Sequence, residues 1–281
     1  MSTYPVPDRT ATATRREFAE APRQESVPPG LLAVFAHPDD EALVAGGVLA
    51  QHAAEGARTA VVTATWAPGT PRAGELADAL TALGVREPLR LLGYADHRVP
   101  DSAPGRSRWC DVPVDEAVGH LVAHIREVRP EIVVTHDAYG QLTGHPDHRH
   151  THRMTLLAVT AAALGQLYPE AGEPWQPGAL YLATHPHSGA AELGELLDGV
   201  GKSVLSVPDT HVTATVDVRP WADRKWAAIT AHRSEAERER ALPGILARLP
   251  EETRNRIIGT EYYTRVTFAP GTPGGLRRLT V

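Results

Sequence analysis

The sequence predicts an α/β fold: a Rossmann-like, mostly parallel sheet with helices on both faces, and C-terminal strands and a helix that complete the sheet or cap its site. Three observations carry this expectation. Strand-like and helix-like stretches alternate from residue 31 to about residue 167. The first strand, 31–36, is apolar without a break, as in a central parallel strand covered on both faces. Polar, histidine-rich loops follow the first and fourth strands, beyond whose carboxyl ends open α/β sheets bind ligands.

Each element has its own reason. A helix is expected from Glu41 to about Glu55, with Asp39 or Asp40 as N-cap and Gly56 as a stop. The β-branched run T-A-V-V-T-A-T-W (59–66) reads as the second strand. The loop A-P-G-T-P-R leads into a helix over 73–85, and P-L-R-L-L-G-Y (88–94) is the third strand. A polar loop spans roughly 95–112, and Val114–Val128 is helical until R-P stops it. E-I-V-V-T-H-D (131–137) is the fourth strand, and a loop through H-P-D-H-R-H opens a helix to about Leu167. Later strands are expected at 179–185, 210–218 and 262–268, with a helix over Trp221–Glu235.

Composition narrows the function. The 281 residues are 42% hydrophobic and 22% charged, with a net charge of −6. A net acidic chain argues against bulk electrostatic binding to nucleic acid or anionic membranes. The single cysteine, Cys110, excludes an intramolecular disulfide framework and suits a reducing cytoplasm. No apolar stretch approaches the length of a bilayer span. Residues 1–29, rich in Pro, Thr, Arg and Glu and without an apolar core, read as a flexible leader and not as a secretory signal. Residues 30–281 are then read as one α/β domain.

The chemistry concentrates in a repeated tripeptide. H-P-D occurs as H-P-D-D-E at 37–41 and as H-P-D-H at 145–148. One such tripeptide after a strand is ordinarily a turn with a helix cap. Two, at the carboxyl ends of two strands, one with an extra Asp and one with an extra His, point to a metal. His37, Asp40 and His148 can supply a His₂Asp set with an open position, as catalytic zinc requires. A divalent cation would also offset the crowding of Asp39 and Asp40. Asp39 then remains beside the metal as a general base for water. His145 can point to the other side of a substrate, with Asp147 orienting its ring. His₂Asp sites also accept other divalent metals.

The strings A-H-P-D-D-E (36–41) and G-H-P-D-H (144–148) resemble the signatures of the PIG-L/LmbE family of zinc-dependent de-N-acetylases, from about Leu32 to Leu157. R-A-G-E-L-A-D-A-L-T-A-L-G-V (72–85) and H-P-D-H-R-H-T-H (145–152) bring the likeness closest to the mycothiol-pathway deacetylase and related conjugate amidases. The resemblance implies one Zn2+ per chain on His37, Asp40 and His148, with Asp39 activating water. It implies that His145 stabilises the oxyanion and helps the amine leave, that Asp147 raises the basicity of His145, and that Arg72 grips sugar hydroxyls. Two positions depart from the thiol-pathway pattern. Thr143 stands where those relatives carry a tyrosine, with Tyr139 nearby as a stand-in, and T-W-A-P-G-T replaces a Gly- and Glu-rich loop. Trp66 in that loop is read as an apolar wall or a sugar-stacking face.

Other histidines carry plainer readings. His136, His150 and His152 are each expected behind the site, on a helix surface or in a satisfied hydrogen bond, and not as metal ligands. Glu41 is either a partner to a metal-bound histidine or a favourable charge in the first helical turn. His185 and His187 are expected near the pocket, and His232 is the one residue of A-H-R-S-E-A-E-R-E-R (231–240) expected to face it. Cys110 is read as structural. The expected activity is hydrolysis of an N-acetyl or other N-acyl group from an amino sugar, a small-molecule partner. The alternatives are a natural-product glycoside or thiol conjugate as substrate, or a non-catalytic carbohydrate-binding module. No G-x-G-x-x-G follows the first strand, which counts against a nucleotide cofactor.

Overall fold

The computed structural model describes residues 28–202 and 204–267. The expected leader therefore lies outside the described residues except for its last two, as does Phe268 at the end of the last expected strand. In chain order the elements begin β1 (Leu31–Phe35), α1 (Asp40–Ala54), β2 (Thr59–Thr65), α2 (Pro71–Leu83), β3 (Arg90–Tyr94), α3 (Val114–Val128), β4 (Ile132–His136) and α4 (Pro146–Ala161). They continue with β5 (Ala179–Thr184), α5 (His187–Asp198), β6 (Ala214–Asp217), α6 (Ala222–Ala231), α7 (Arg233–Ala236), α8 (Leu242–Ala247), α9 (Glu251–Ile258) and β7 (Thr260–Thr267). None of the described helices is long and apolar enough to cross a membrane.

The strands form one sheet in the order β3-β2-β1-β4-β5-β7-β6. The pairs from β3 to β5 are parallel, and β7 runs antiparallel between β5 and β6. This is the mostly parallel α/β sheet that the alternation predicts. β1 is buried along its whole length, and its side chains alternate between two cores. Leu31, Ala33 and Phe35 pack with α1, α2 and α6, while Leu32 and Val34 pack with α3 and α4.

The strand order turns back on itself between β1 and β4, which are hydrogen-bonded neighbours with Val34 opposite Thr135. At such a switch point the loops after the two strands diverge and leave a crevice. The two H-P-D segments follow these two strands, so a sequence separation of about a hundred residues collapses to adjacency.

The C-terminal third both completes the sheet and walls the crevice. β5, β7 and β6 extend the sheet, and segments from α7 to β7 line the cavity above the switch point. One buried carboxylate joins this part to the first helix. Glu261 of β7 accepts the N–H groups of Gly47 and Val48 at 2.7 and 3.0 Å, and Lys225 Nζ of α6 donates to it at 2.7 Å. Buried carboxylates and ammonium groups persist only when paired in this way.

Gly47 is required by this packing, because a Cβ there would stand 2.3–2.6 Å from the Val218 side chain. Gly47→Ala is expected to destabilise the protein by about 1–3 kcal/mol, the usual cost of overpacking a filled core. Urea denaturation checks this, and an unchanged midpoint would show that the α1 contact is not tight.

Candidate active site

The site is assembled by chain reversals at two strand ends. After β1 the chain turns through His37, Pro38 and Asp39 into α1, which starts at Asp40. After β4 it loops over Gln141–Thr143 and enters α4 with Pro146 at the first helical position, where proline is favoured. His145 is the N-cap of α4, its Nδ1 accepting the Asp147 N–H at 3.2 Å.

Three buried donor atoms converge between these turns. His37 Nδ1 lies 2.9 Å from His148 Nε2 and 3.4 Å from Asp40 Oδ2, and His148 Nε2 lies 3.3 Å from Asp40 Oδ1. The opposite faces of the rings fix which nitrogens carry hydrogen. His148 Nδ1 faces the Gly140 carbonyl at 3.2 Å, which can only accept. His37 Nε2 faces Asp147 Oδ2 at 3.1 Å and Asp96 Oδ2 at 3.2 Å. With both of those nitrogens donating and both rings neutral, two imidazole lone pairs and one carboxylate point at a common centre. Such an arrangement is repulsive until a cation enters it. Bonds of about 2.0–2.2 Å to a tetrahedral ion place neighbouring ligand atoms about 3.3–3.6 Å apart, which the two separations to Asp40 match and the 2.9 Å between the imidazoles reaches with a small parting of the rings. The donor set therefore fits a divalent metal, and carboxylates behind a ligating imidazole are its usual support.

The two rings titrate in opposite directions, and a cation entering the triangle would take the place of the proton on His37. Burial drives His148 well below the ordinary imidazole range, leaving it neutral and able to ligate. Burial works against charge on His37 too, but hydrogen bonds to Asp147 and Asp40 outweigh it and hold that ring well above its ordinary value.

Other buried histidine and aspartate atoms overlap this cluster, in the groups His37–His145–His148, His37–Asp96–His145–Asp147 and Asp40–His136–His148. His136 is the poorest donor among them, because its Nε2 accepts the Ala36 N–H at 3.1 Å. Its ring instead stacks flat on His148, with centroids 4.0 Å apart. His152 Nδ1 meets the His136 carbonyl at 2.9 Å, and His150 packs edge-on against Trp109. All three stand behind the site.

Asp39 flanks the triangle, and its side chain caps no helical N–H. Burial pushes its carboxyl up to about 7, against the opposing pull of Arg72, whose Nη2 lies 3.3 Å from Oδ2. Its backbone is unusual: φ is 132° and ψ is −27°, a conformation that costs a non-glycine residue about 1–3 kcal/mol.

The cavity over these residues has a volume of about 270 Å³. His37, Asp39, Asp40, Arg72, Thr143, His145 and His148 all line it. Asp147 is fully buried beneath it; its Oδ2 lies 3.7 Å from His145 Nδ1, farther than from His37, and accepts the His97 N–H at 2.9 Å. Arg72 is largely occupied by protein: Nη1 donates to Glu235 at 2.8 Å, and Nη2 donates to the Pro38 carbonyl. Trp66 requires a correction. It does not line the cavity as a wall or a stacking face, because the Arg72 guanidinium covers its ring at 4.8 Å. Tyr139 is about half exposed and also lies outside the cavity wall, whereas Tyr262 of β7 stands in it.

Several lining residues escaped sequence reasoning. Asp96 follows β3, and the strand-end rule that found the two H-P-D loops would have found it as well. Arg98, Lys202, Glu235 and Arg238 come from loops and a short helix that carry no motif, and Glu261 from the last strand. His185, one of the two histidines expected near the pocket, does line it, and His232 stands fully buried behind it.

The family profile for PIG-L, described as GlcNAc-PI de-N-acetylase, matches residues 32–159. A 1D-myo-inositol 2-acetamido-2-deoxy-alpha-D-glucopyranoside deacetylase from Geodermatophilus obscurus is 36% identical, over 87% of this chain and 94% of that protein. The enzyme of the same name from Mycolicibacterium smegmatis is 35% identical, over 86% and 92%. Among solved structures, N,N'-diacetylchitobiose deacetylase from Pyrococcus horikoshii superposes with a TM-score of 0.60 at 18% identity, over 85% of this chain and 84% of that one, a likeness of fold alone. A conserved protein from Thermus thermophilus superposes with a TM-score of 0.58 at 26% identity, over 89% and 100%. With relatives over a third identical along more than nine-tenths of their length, the chain belongs to the PIG-L family of de-N-acetylases.

Proposed function

We propose that this protein is a zinc-dependent hydrolase that removes the acetyl group from an N-acetylglucosaminyl small molecule, with N-acetylglucosaminyl-inositol as the first substrate to test. The observation that carries this reading is the triangle of His37 Nδ1, His148 Nε2 and Asp40, three buried donors 2.9–3.4 Å from one another, at the base of a cavity that Asp39 and His145 also line. The name shared by the two deacetylases above supplies the substrate class.

Zinc held by His37, Asp40 and His148 would polarise the amide carbonyl and acidify a water molecule. The residues of the chain divide the remaining work. Asp39 takes the proton of the attacking water, for which its buried carboxylate lies free of any helix-capping bond. His145 has Nδ1 engaged by the Asp147 N–H, which leaves Nε2 to carry hydrogen toward the reacting carbonyl. From there it donates a hydrogen bond to the developing oxyanion, while the proton that Asp39 has taken from the water passes on to the leaving amine. Asp147 steadies this arrangement from below, through His37 on one side and the N-cap of α4 on the other. Arg72 presents what remains of its guanidinium to the cavity and holds the Asp39 turn. Thr143, exposed at the cavity edge, leaves more room there than a tyrosine would and contacts the outer part of the substrate. A cytoplasmic location is in keeping with the single cysteine, which allows no intramolecular disulfide.

Two outcomes are expected. The zinc-loaded protein releases a primary amine from N-acetylglucosaminyl-inositol, detected by mass spectrometry; a chelator abolishes the release and added metal restores it. Release that persists through exhaustive chelation would rule out the metal mechanism. Second, Asp39→Ala retains one metal per chain by elemental analysis while kcat falls about 10²–10⁴-fold, the range for loss of a general base. His148→Ala instead loses the metal. Unchanged turnover in Asp39→Ala would remove Asp39 from the base role.

A further inference from the structure

Two fully buried side chains near the site have no part in the chemistry above: Glu41 and His232. They are joined to each other, His232 Nε2 lying 2.7 Å from Glu41 Oε1. The other oxygen of Glu41 accepts the Asp39 N–H at 3.1 Å. The opposite end of the same peptide unit, the Pro38 carbonyl, accepts from Arg72 Nη2, and Arg72 is held by Glu235 at 2.8 Å. The peptide between Pro38 and Asp39 is therefore gripped at both its polar groups, by two ion pairs that reach it from opposite sides.

Both outer partners come from one short stretch. His232 and Glu235 flank Ser234, at the break between α6 and α7. Ser234 is fastened to α2, its N–H and Oγ donating to Glu75 at 3.0 and 2.6 Å. The stretch is thus docked rigidly over the start of α1. What it grips is the residue with φ at 132°, a backbone state that persists only where surrounding contacts over-determine it.

We propose that Glu41, His232 and Glu235 are positioning residues that clamp the Pro38–Asp39 peptide and so aim the Asp39 carboxylate at the attacking water. The proposal rests on Asp39 being the base. A simpler account makes Glu41 a negative charge that favours the first turn of α1. Length and charge separate the two accounts. Glu41→Gln loses the charge but keeps the reach; its amide oxygen still accepts the Asp39 N–H while its amide nitrogen faces the His232 ring. Glu41→Asp keeps the charge in the helical turn but is one bond too short to touch Asp39 and His232 together.

The test measures kcat, KM and metal content on N-acetylglucosaminyl-inositol for both variants, with a crystal structure of each. The clamp requires Glu41→Gln to stay within about threefold of the parent in kcat and Glu41→Asp to fall at least tenfold. Both are expected to hold one metal per chain and to keep KM within threefold. Only the aspartate variant should show Asp39 leaving its positive φ. The reverse order of activities, or equal activities, would overturn the proposal in favour of the helix-charge account. Loss of metal along with turnover in Glu41→Asp would overturn it too, by making Glu41 a support for the ligands. If the parent protein releases no amine, the functional reading fails by itself, and the φ of Asp39 in the two variant structures still decides whether the clamp exists.

Discussion

The crowding of His37, Asp40 and His148 is the constraint around which the rest of the molecule is arranged. Two imidazole nitrogens and a carboxylate held about 3 Å apart inside a protein need a positive charge among them, a proton or a metal, so both the fold and a ligand compensate for them. The fold does so by making β1 and β4 immediate neighbours, which fixes the spacing of the two turns to within the rigidity of a buried parallel pair. The far sides of both imidazoles are then tied to acceptors, Asp147 and Asp96 for His37 and the Gly140 carbonyl for His148. What remains uncompensated is the centre of the triangle, and a divalent cation fits that need.

The C-terminal third works on the same site from the other direction. Glu261 enters the first helix at Gly47 and Val48, while the stretch from His232 to Glu235 grips the turn that precedes it. α1 carries Asp40 at its start, so both attachments hold the metal-facing and base-facing carboxylates relative to each other. Asp39 and Asp40 are adjacent in sequence yet have different surroundings. Asp40 is held well below the carboxylate range, its neighbours His148 and His136 overcoming the cost of burial. Burial dominates at Asp39 and raises it. Opposite shifts in two neighbouring carboxyl groups fit them for different work within the same turn.

Much of this was legible in the residues, and the remainder was hidden for identifiable reasons. β1, β2 and β4 declare themselves because strands covered on both faces must be apolar throughout. The metal-facing residues declare themselves because the chemistry repeats the same tripeptide at two strand ends. The helix expected over Trp221–Glu235 breaks at His232, whose φ of −77° and ψ of 65° serve its contact with Glu41, a residue 191 positions away. α5, α8 and α9 are not expected from the residues: they are short or rich in Gly and polar residues, and such helices depend on tertiary contacts more than on propensity. Of the strand expected over 210–218, only Ala214–Asp217 forms, at the sheet edge. Trp66 looked like a binding surface because nothing in its own segment shows that Arg72 lies over it. The Glu235 partner of Arg72 is hidden from its own segment as well, being 163 residues distant.

The most direct test of the central claim is an anomalous-scattering map of the zinc-loaded protein, recorded at the zinc absorption edge. The account requires a single peak bounded by His37 Nδ1, His148 Nε2 and an oxygen of Asp40, each at about 2.0–2.2 Å, with the fourth direction open to the cavity. A peak seated instead among Asp96, His145 and Asp147, or no peak at the triangle, would contradict it.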